Sequence, residues 1–169
     1  MTDLTIALAG NPNAGKSTVF NALTGLHQHT GNWPGKTVEK KEGQIEHGDL
    51  MINIVDLPGT YSLTAYSPEE VIARDFIIEE RPDVVINVVD ATNLERNLYL
   101  TVQLLELDVP VVVALNMADE LKKGGARIDM QNLSQLLGNI PVVPTAANHG
   151  KGISELIEKA VSLARKISH

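Results

Sequence analysis

Residues 10–17 read Gly-Asn-Pro-Asn-Ala-Gly-Lys-Ser, between an apolar run at 4–9 and a segment of helical period at 16–25. A G-x-x-x-x-G-K-[ST] octet so placed requires a strand to turn directly into a helix. Its glycines let backbone N–H groups point inward at the mouth of that helix. The result is a cradle for phosphate groups, and it commits the chain to a sheet whose first strand ends at the cradle. In it Lys16 would hold the β and γ phosphates and Ser17 would ligate Mg²⁺. Ala14, Gly15 and Thr18 complete the contact surface.

The rest of the sequence agrees with an α/β fold. Runs rich in Val and Ile alternate with segments of helical period, the pattern of a largely parallel sheet flanked by helices. Strands are expected at 4–9, 37–45, 50–55, 84–89, 111–115 and 142–145. The turn His47-Gly48-Asp49 makes the second and third of these an antiparallel hairpin. This gives a six-stranded, mostly parallel sheet with one antiparallel strand and about five helices. Ser67-Pro68-Glu69-Glu70 starts a helix reaching about residue 80, with Ser67 as cap, Pro68 in the first turn and Glu70 closing a capping box. Ile153, Leu156, Ile157, Ala160, Val161, Ala164 and Ile167 form the apolar stripe of the last helix. Residues 28–36, which have no clear period, read as a long mobile loop with an exposed Trp33.

One domain accounts for 169 residues, and the longest apolar run, 109–115, is far short of the roughly 20 residues needed to span a bilayer. The chain is therefore expected to be soluble. The absence of cysteine excludes disulfides and thiolate metal sites. A net charge of −7 argues against a surface built to hold nucleic acid.

Two further motifs sit at strand ends. Asp56-Leu57-Pro58-Gly59 follows the strand 50–55, where an aspartate can hold Mg²⁺ through water and a glycine N–H can meet a γ phosphate. Asn116-Met117-Ala118-Asp119 follows 111–115, and Asp119 can accept hydrogen bonds from the ring N–H and exocyclic amine of guanine, donors that adenine lacks. Taken alone, D-x-x-G is an ordinary turn and Asp119 an ordinary helix cap. In order on successive strand ends after the octet, they point to a guanine nucleotide, GTP or GDP.

With these motifs the chain resembles the small, Ras-like P-loop GTPase domains over essentially its whole length. Ala146-Ala147-Asn148 stands in the place of the usual Ser-Ala-x base loop, and Thr145, Ala146 and Ala147 are its expected nucleotide contacts. Two departures narrow the resemblance: Met117 replaces the usual lysine of N-K-x-D, and Thr60 replaces the water-positioning glutamine. Together with Asn-Trp-Pro-Gly-Lys-Thr at 32–37, Asp-Leu-Pro-Gly-Thr-Tyr at 56–61 and Asp-Ala-Thr-Asn-Leu-Glu-Arg-Asn at 90–97, they make the chain similar to the G domain of the FeoB family of prokaryotic ferrous iron transporters.

That resemblance implies a slow GTPase at the cytoplasmic face of the inner membrane, preceding a helical regulatory domain and a membrane permease. Neither follows here, so the chain would be a fragment. It also implies that Asn13 is a ligand for K⁺ beside the β and γ phosphates, completed by backbone carbonyls near Gly31 and Trp33. The plain alternative is that Asn13 tolerates an unusual loop conformation. Thr37, preceded by Gly35 and Lys36, would be the switch threonine that ligates Mg²⁺. No general base is assigned, since the capping box accounts for Glu70 and solvent exposure for Glu69. His27, His29, His47, His149 and His169 have no metal-site spacing, and no iron site is expected in this domain. A tRNA-modifying or ribosome-assembly GTPase would share Asn13 but would need a basic surface and an RNA-binding domain. A small-molecule kinase would have no use for the guanine motif.

Overall fold

The computed structural model describes residues 2–167. The elements follow in the order β1 (Leu4–Gly10), α1 (Lys16–Thr24), β2 (Gln28–Asn32), β3 (Glu39–His47), β4 (Leu50–Asp56), α2 (Pro68–Asp75), β5 (Val84–Asp90), α3 (Leu94–Glu106), β6 (Val111–Asn116), α4 (Ala118–Lys123), α5 (Met130–Leu136), β7 (Val142–Pro144) and α6 (Ile153–Ile167). The strands form one seven-stranded sheet in the order β2-β3-β4-β1-β5-β6-β7. β3 is antiparallel to both of its neighbours, and every other pairing is parallel. Parallel strands need crossovers, so β1, β4, β5, β6 and β7 all point their C-terminal ends to one edge, where loops can gather.

Alternation along the strands builds two cores. Ile6 and Leu8 face Phe20 of α1 and Leu156, Ala160 and Ala164 of α6. Ala7 and Ala9, pointing the other way, pack with Ile72 and Ala73 of α2 and Leu100 and Leu104 of α3. The α6 stripe buries five of its seven expected residues, and Ile153 is partly buried. Ile167 is exposed instead, because the helix has run past the sheet by its last turn.

The start of α2 has the expected capping box: Glu70 N donates to Ser67 Oγ at 3.1 Å, and Ser67 N donates to Glu70 Oε1 at 3.1 Å. The helix then widens into a π turn, Phe76–Glu80, and ends at Arg81 with a left-handed φ of 47°.

The segment 28–36 differs from its expected form. Residues Gln28–Asn32 are an edge strand, paired in register from Gln28↔Gly43 to Asn32↔Glu39, and this is the seventh strand of the sheet. Its side chains are mostly exposed on both faces, so it has no apolar alternation by which a sequence could show it. The hairpin closes through Trp33 N to Val38 O and Lys36 N to Trp33 O, each 2.9 Å. Trp33 is buried, not exposed: its ring meets Phe76 edge-on with centroids 5.7 Å apart, and Lys40 Nζ lies 4.8 Å above it. Among the described residues, no helix is long and apolar enough to cross a membrane.

Candidate functional site

The candidate site lies at the edge where β1, β4, β6 and β7 end, and glycine makes its close approaches possible. At Gly10 a Cβ would lie 2.7 Å from the Val88 carbonyl oxygen. Gly15 caps α1 with a left-handed φ of 90°, and a Cβ there would lie 2.3 Å from Asn116 Nδ2. Replacing Gly15 by alanine is expected to cost about 2 kcal/mol, from the positive φ and the displaced Asn116 together. Thermal unfolding of Gly15→Ala checks this; an unchanged Tm would mean that the loop relaxes freely.

Asn116 is the hub of the site. Its Nδ2 donates to the Ala14 carbonyl at 3.0 Å, while its Oδ1 accepts from Thr145 Oγ1 at 3.0 Å and from Ala147 N at 3.1 Å. Ala118 N donates to Thr145 O at 3.2 Å. One buried side chain thus fastens the octet, the 116–119 loop and the 145–147 loop together, and its amide is spent on that task. Met117 sits beside it with φ of 61°, its Cε 3.6 Å from where a Gly15 side chain would begin.

Asp119 sits in the first turn of α4, half-buried, and its Oδ1 is buried with no hydrogen-bond partner. An unpaired buried carboxylate oxygen is costly unless a donor arrives. Its other oxygen, Oδ2, lies 3.5 Å from Nε2 of His149. His149 follows the 145–147 loop and belongs to no spacing motif, so this contact has no signature in the sequence.

At the phosphate end, Lys16 Nζ contacts Asp56 Oδ1, and both side chains are buried. Burial raises the Asp56 pKa above the usual carboxylate value, and the adjacent Lys16 ammonium opposes that rise. The 56–60 loop is fixed against the cradle by Leu57 N to Leu8 O at 3.0 Å and Thr60 N to Gly10 O at 3.1 Å. A Cβ on Gly59 would lie 3.0 Å from Pro12 Cα. Thr60 is buried, and Tyr61 turns outward with Arg96 over its ring at 4.5 Å. Glu70 binds both Ser62 and Thr64, which holds its carboxyl pKa below the usual range.

Asn13, Ser17 and Thr18 are exposed on the cradle. Asn11 is buried, and its Oδ1 has no partner. Gly31, Trp33, Gly35, Lys36 and Thr37 lie on the β2–β3 hairpin, at the edge where β4 ends in Asp56, and β4 separates that hairpin from β1 in the sheet order. Trp33 and Lys36 line a cavity that runs along the sheet face from Val55, next to Asp56, to Thr5. Thr37 is exposed and, among the described residues, makes no hydrogen bond to the octet. Of the histidines, His169 lies outside the described residues, and no group of three or more His, Asp or Glu among those described is placed to hold a metal.

A family model described as ferrous iron transport protein B matches residues 4–160. The chain belongs to that family. The Fe(2+) transport protein A/Fe(2+) transporter FeoB fusion protein of Porphyromonas gingivalis is 56% identical over 159 residues, covering 94% of this chain and 19% of that protein. The Fe(2+) transporter FeoB of Salmonella typhimurium is 56% identical over 160 residues, covering 92% of this chain and 21% of that one. The chain thus spans about one-fifth of the length of these curated relatives.

Among solved structures, the cytosolic domain of L. pneumophila FeoB is 50% identical with a TM-score of 0.90, covering 94% of this chain and 63% of that one. The FeoB G-domain from Methanococcus jannaschii is 52% identical with a TM-score of 0.85, covering 98% and 99%. An S. thermophilus NFeoB mutant bound to mGDP is 51% identical with a TM-score of 0.88, covering 93% and 60%. At these identities the FeoB family gives the chain its Ras-like G-domain fold.

Proposed function

We propose that this chain is the GTP-binding domain of a ferrous iron transporter, a switch that binds GTP, hydrolyses it slowly to GDP and phosphate, and so drives or gates iron passage through a permease. The reading is carried by one observation: Asn116 draws the cradle and both base-flanking loops together and leaves the buried Oδ1 of Asp119 without a donor. Guanine offers an N–H and an amine to such a carboxylate. Family members solved with GDP or mGDP bound support the same assignment.

The roles follow from chemistry and place. The N–H groups of residues 13–18 would bind phosphate oxygens at the mouth of α1, and Lys16 would exchange part of its contact with Asp56 for the β and γ phosphates. Thr145, Ala146 and Ala147 would line the base, with Met117 packed on its plane. Mg²⁺ fits the hard oxygen donors available, the exposed Ser17 hydroxyl and the Asp56 carboxylate through water. Thr37 would join them after segment 28–38 moves, with Gly35 and Lys36 carried alongside it. Leu57, Pro58 and Gly59 would follow the γ phosphate from the opposite side. In this conformation the Trp33 carbonyl accepts from Lys36 N and keeps a second lone pair, so the K⁺ shell of Asn13 and carbonyls near Gly31 and Trp33 would close as the same segment moves. A cation in such a shell supplies positive charge where negative charge develops in phosphoryl transfer.

The domain would work at the cytoplasmic face of a prokaryotic inner membrane, joined in the same chain to a helical regulatory domain and the permease. GTP and ATP turnover, measured in potassium and in sodium, tests the switch and the cation together. GTP hydrolysis is expected to be faster in potassium, to lose that gain in Asn13→Ala, and to have no ATP counterpart. Equal rates in both salts would make Asn13 a loop-shaping residue.

A further inference from the structure

The 116–119 and 145–149 loops are joined at their root and at their tip. At the root, Ala147 N donates to Asn116 Oδ1, deep in the fold. At the tip, His149 reaches from the end of a short 3₁₀ turn, Ala147–His149, to the carboxylate of Asp119. Its own backbone is held in place, with His149 N donating to Ala146 O at 2.9 Å and Ala146 bridged to Lys151. The root contact fixes the loops relative to each other, whereas the tip contact acts on the very group that would read a base.

We propose that His149 is a positioning residue for base recognition, holding Asp119 Oδ2 so that the buried Oδ1 and the remaining lone pairs of the carboxylate face the guanine edge. This deepens the guanine reading above and rests on it. A carboxylate on a short side chain rotates about two torsions, and a bidentate acceptor for the guanine ring N–H and amine works only with both oxygens in the base plane. An imidazole nitrogen 3.5 Å from one oxygen restricts that rotation before the nucleotide arrives. Each carboxylate oxygen accepts more than one hydrogen bond, so Oδ2 can keep His149 and still take a donor from the base. The imidazole is more than half exposed, so the contact sits at the mouth of the pocket, where a base would enter and leave. Its contribution should therefore be felt first in the dissociation rate.

The test is the dissociation rate of a fluorescent GDP from this 169-residue chain, carrying His149→Ala, His149→Gln, Asp119→Ala, or Asp119→Ala with His149→Ala. His149→Ala is expected to speed dissociation about three- to fivefold, the range of a partly exposed polar contact. His149→Gln keeps an N–H donor of similar reach and should return the rate to within about twofold of native. With Asp119 already removed, losing His149 should change nothing further, because the effect passes through that carboxylate. The fold of each variant is checked by its thermal transition. An unchanged rate in His149→Ala, or an equal loss with and without Asp119, overturns the positioning role and leaves guanine binding in place. A native chain that binds ADP as well as GDP overturns the guanine reading and this proposal with it.

Discussion

Asp119→Asn should invert the base preference of the protein. Asparagine keeps an acceptor for the ring N–H but replaces the second oxygen with an amide that donates, so it clashes with the amine of guanine and suits the 2-carbonyl of xanthine. GDP affinity should fall by on the order of 10³ and xanthosine diphosphate should become the preferred ligand, since a site built around a buried hydrogen bond rejects what leaves it unpaired. Competition of both diphosphates against a fluorescent nucleotide measures the change. The alternative role for Asp119, a favourable charge in the first turn of α4, is worth about 0.3–1 kcal/mol of helix stability and says nothing about bases. If GDP affinity stays within about threefold of native, that helix role is all Asp119 has. The buried, partnerless Oδ1 argues for the larger effect, because a helix-dipole role needs no buried oxygen.

How much of this could be read from the sequence depends on where each residue's partner lies. β1, β5 and β6 are buried on both faces and spell themselves as Val, Ile, Leu and Ala runs. α6 shows its core face at helical spacing because one sheet covers one side of it. α3 is less plain, since its inward face includes Asn97 and Thr101. These pay their way through specific bonds, in which Asp90 N donates to Asn97 Oδ1 and Thr101 Oγ1 donates to Asn87 Oδ1, and which no periodicity reveals. β2 was hidden because an edge strand with mostly exposed side chains has no burial pattern to display. Trp33 is buried where its polar surroundings in sequence predict exposure, because it packs on Phe76, a residue of the π turn distant in the chain.

The site divides along the same line. The octet, Asp56 and the 116–119 motif are local spacings tied to strand ends, so they were legible. The bonds that assemble them run from Asn116 to Ala14 and Ala147, and from Asp119 to His149, between segments that meet only through the sheet order. The capping box could be read because it spans only four residues, Ser67 to Glu70. The second duty of Glu70, gathering Ser62 and Thr64 of the loop before α2, could not.

Lys16→Met should disable the site in two separable ways. Without the ammonium, hydrogen bonds to two phosphates are lost, and at about 1.5–3 kcal/mol for each charged bond the nucleotide Kd should rise by a hundredfold or more. The folded state also suffers before any nucleotide is added, because Asp56 is left as a buried carboxylate without its partner. Breaking such a pair costs about 3–5 kcal/mol. The pH dependence identifies the cause. Burial already raises the folded pKa of Asp56 above its unfolded value, and Lys16 is the largest influence opposing that rise. Removing Lys16 raises it further. A carboxyl whose folded pKa lies above the unfolded one binds more protons when folded, so its contribution to stability falls as pH rises through the window between the two values. In Lys16→Met that window extends upward, and the stability deficit relative to the native chain should be largest near neutrality and shrink as pH is lowered toward the range where Asp56 is protonated. Thermal unfolding of both proteins without nucleotide, from neutral to mildly acidic pH, reads the deficit directly. A deficit that stays constant with pH would assign the loss to packing around the lysine stem, and would remove Asp56 from the explanation.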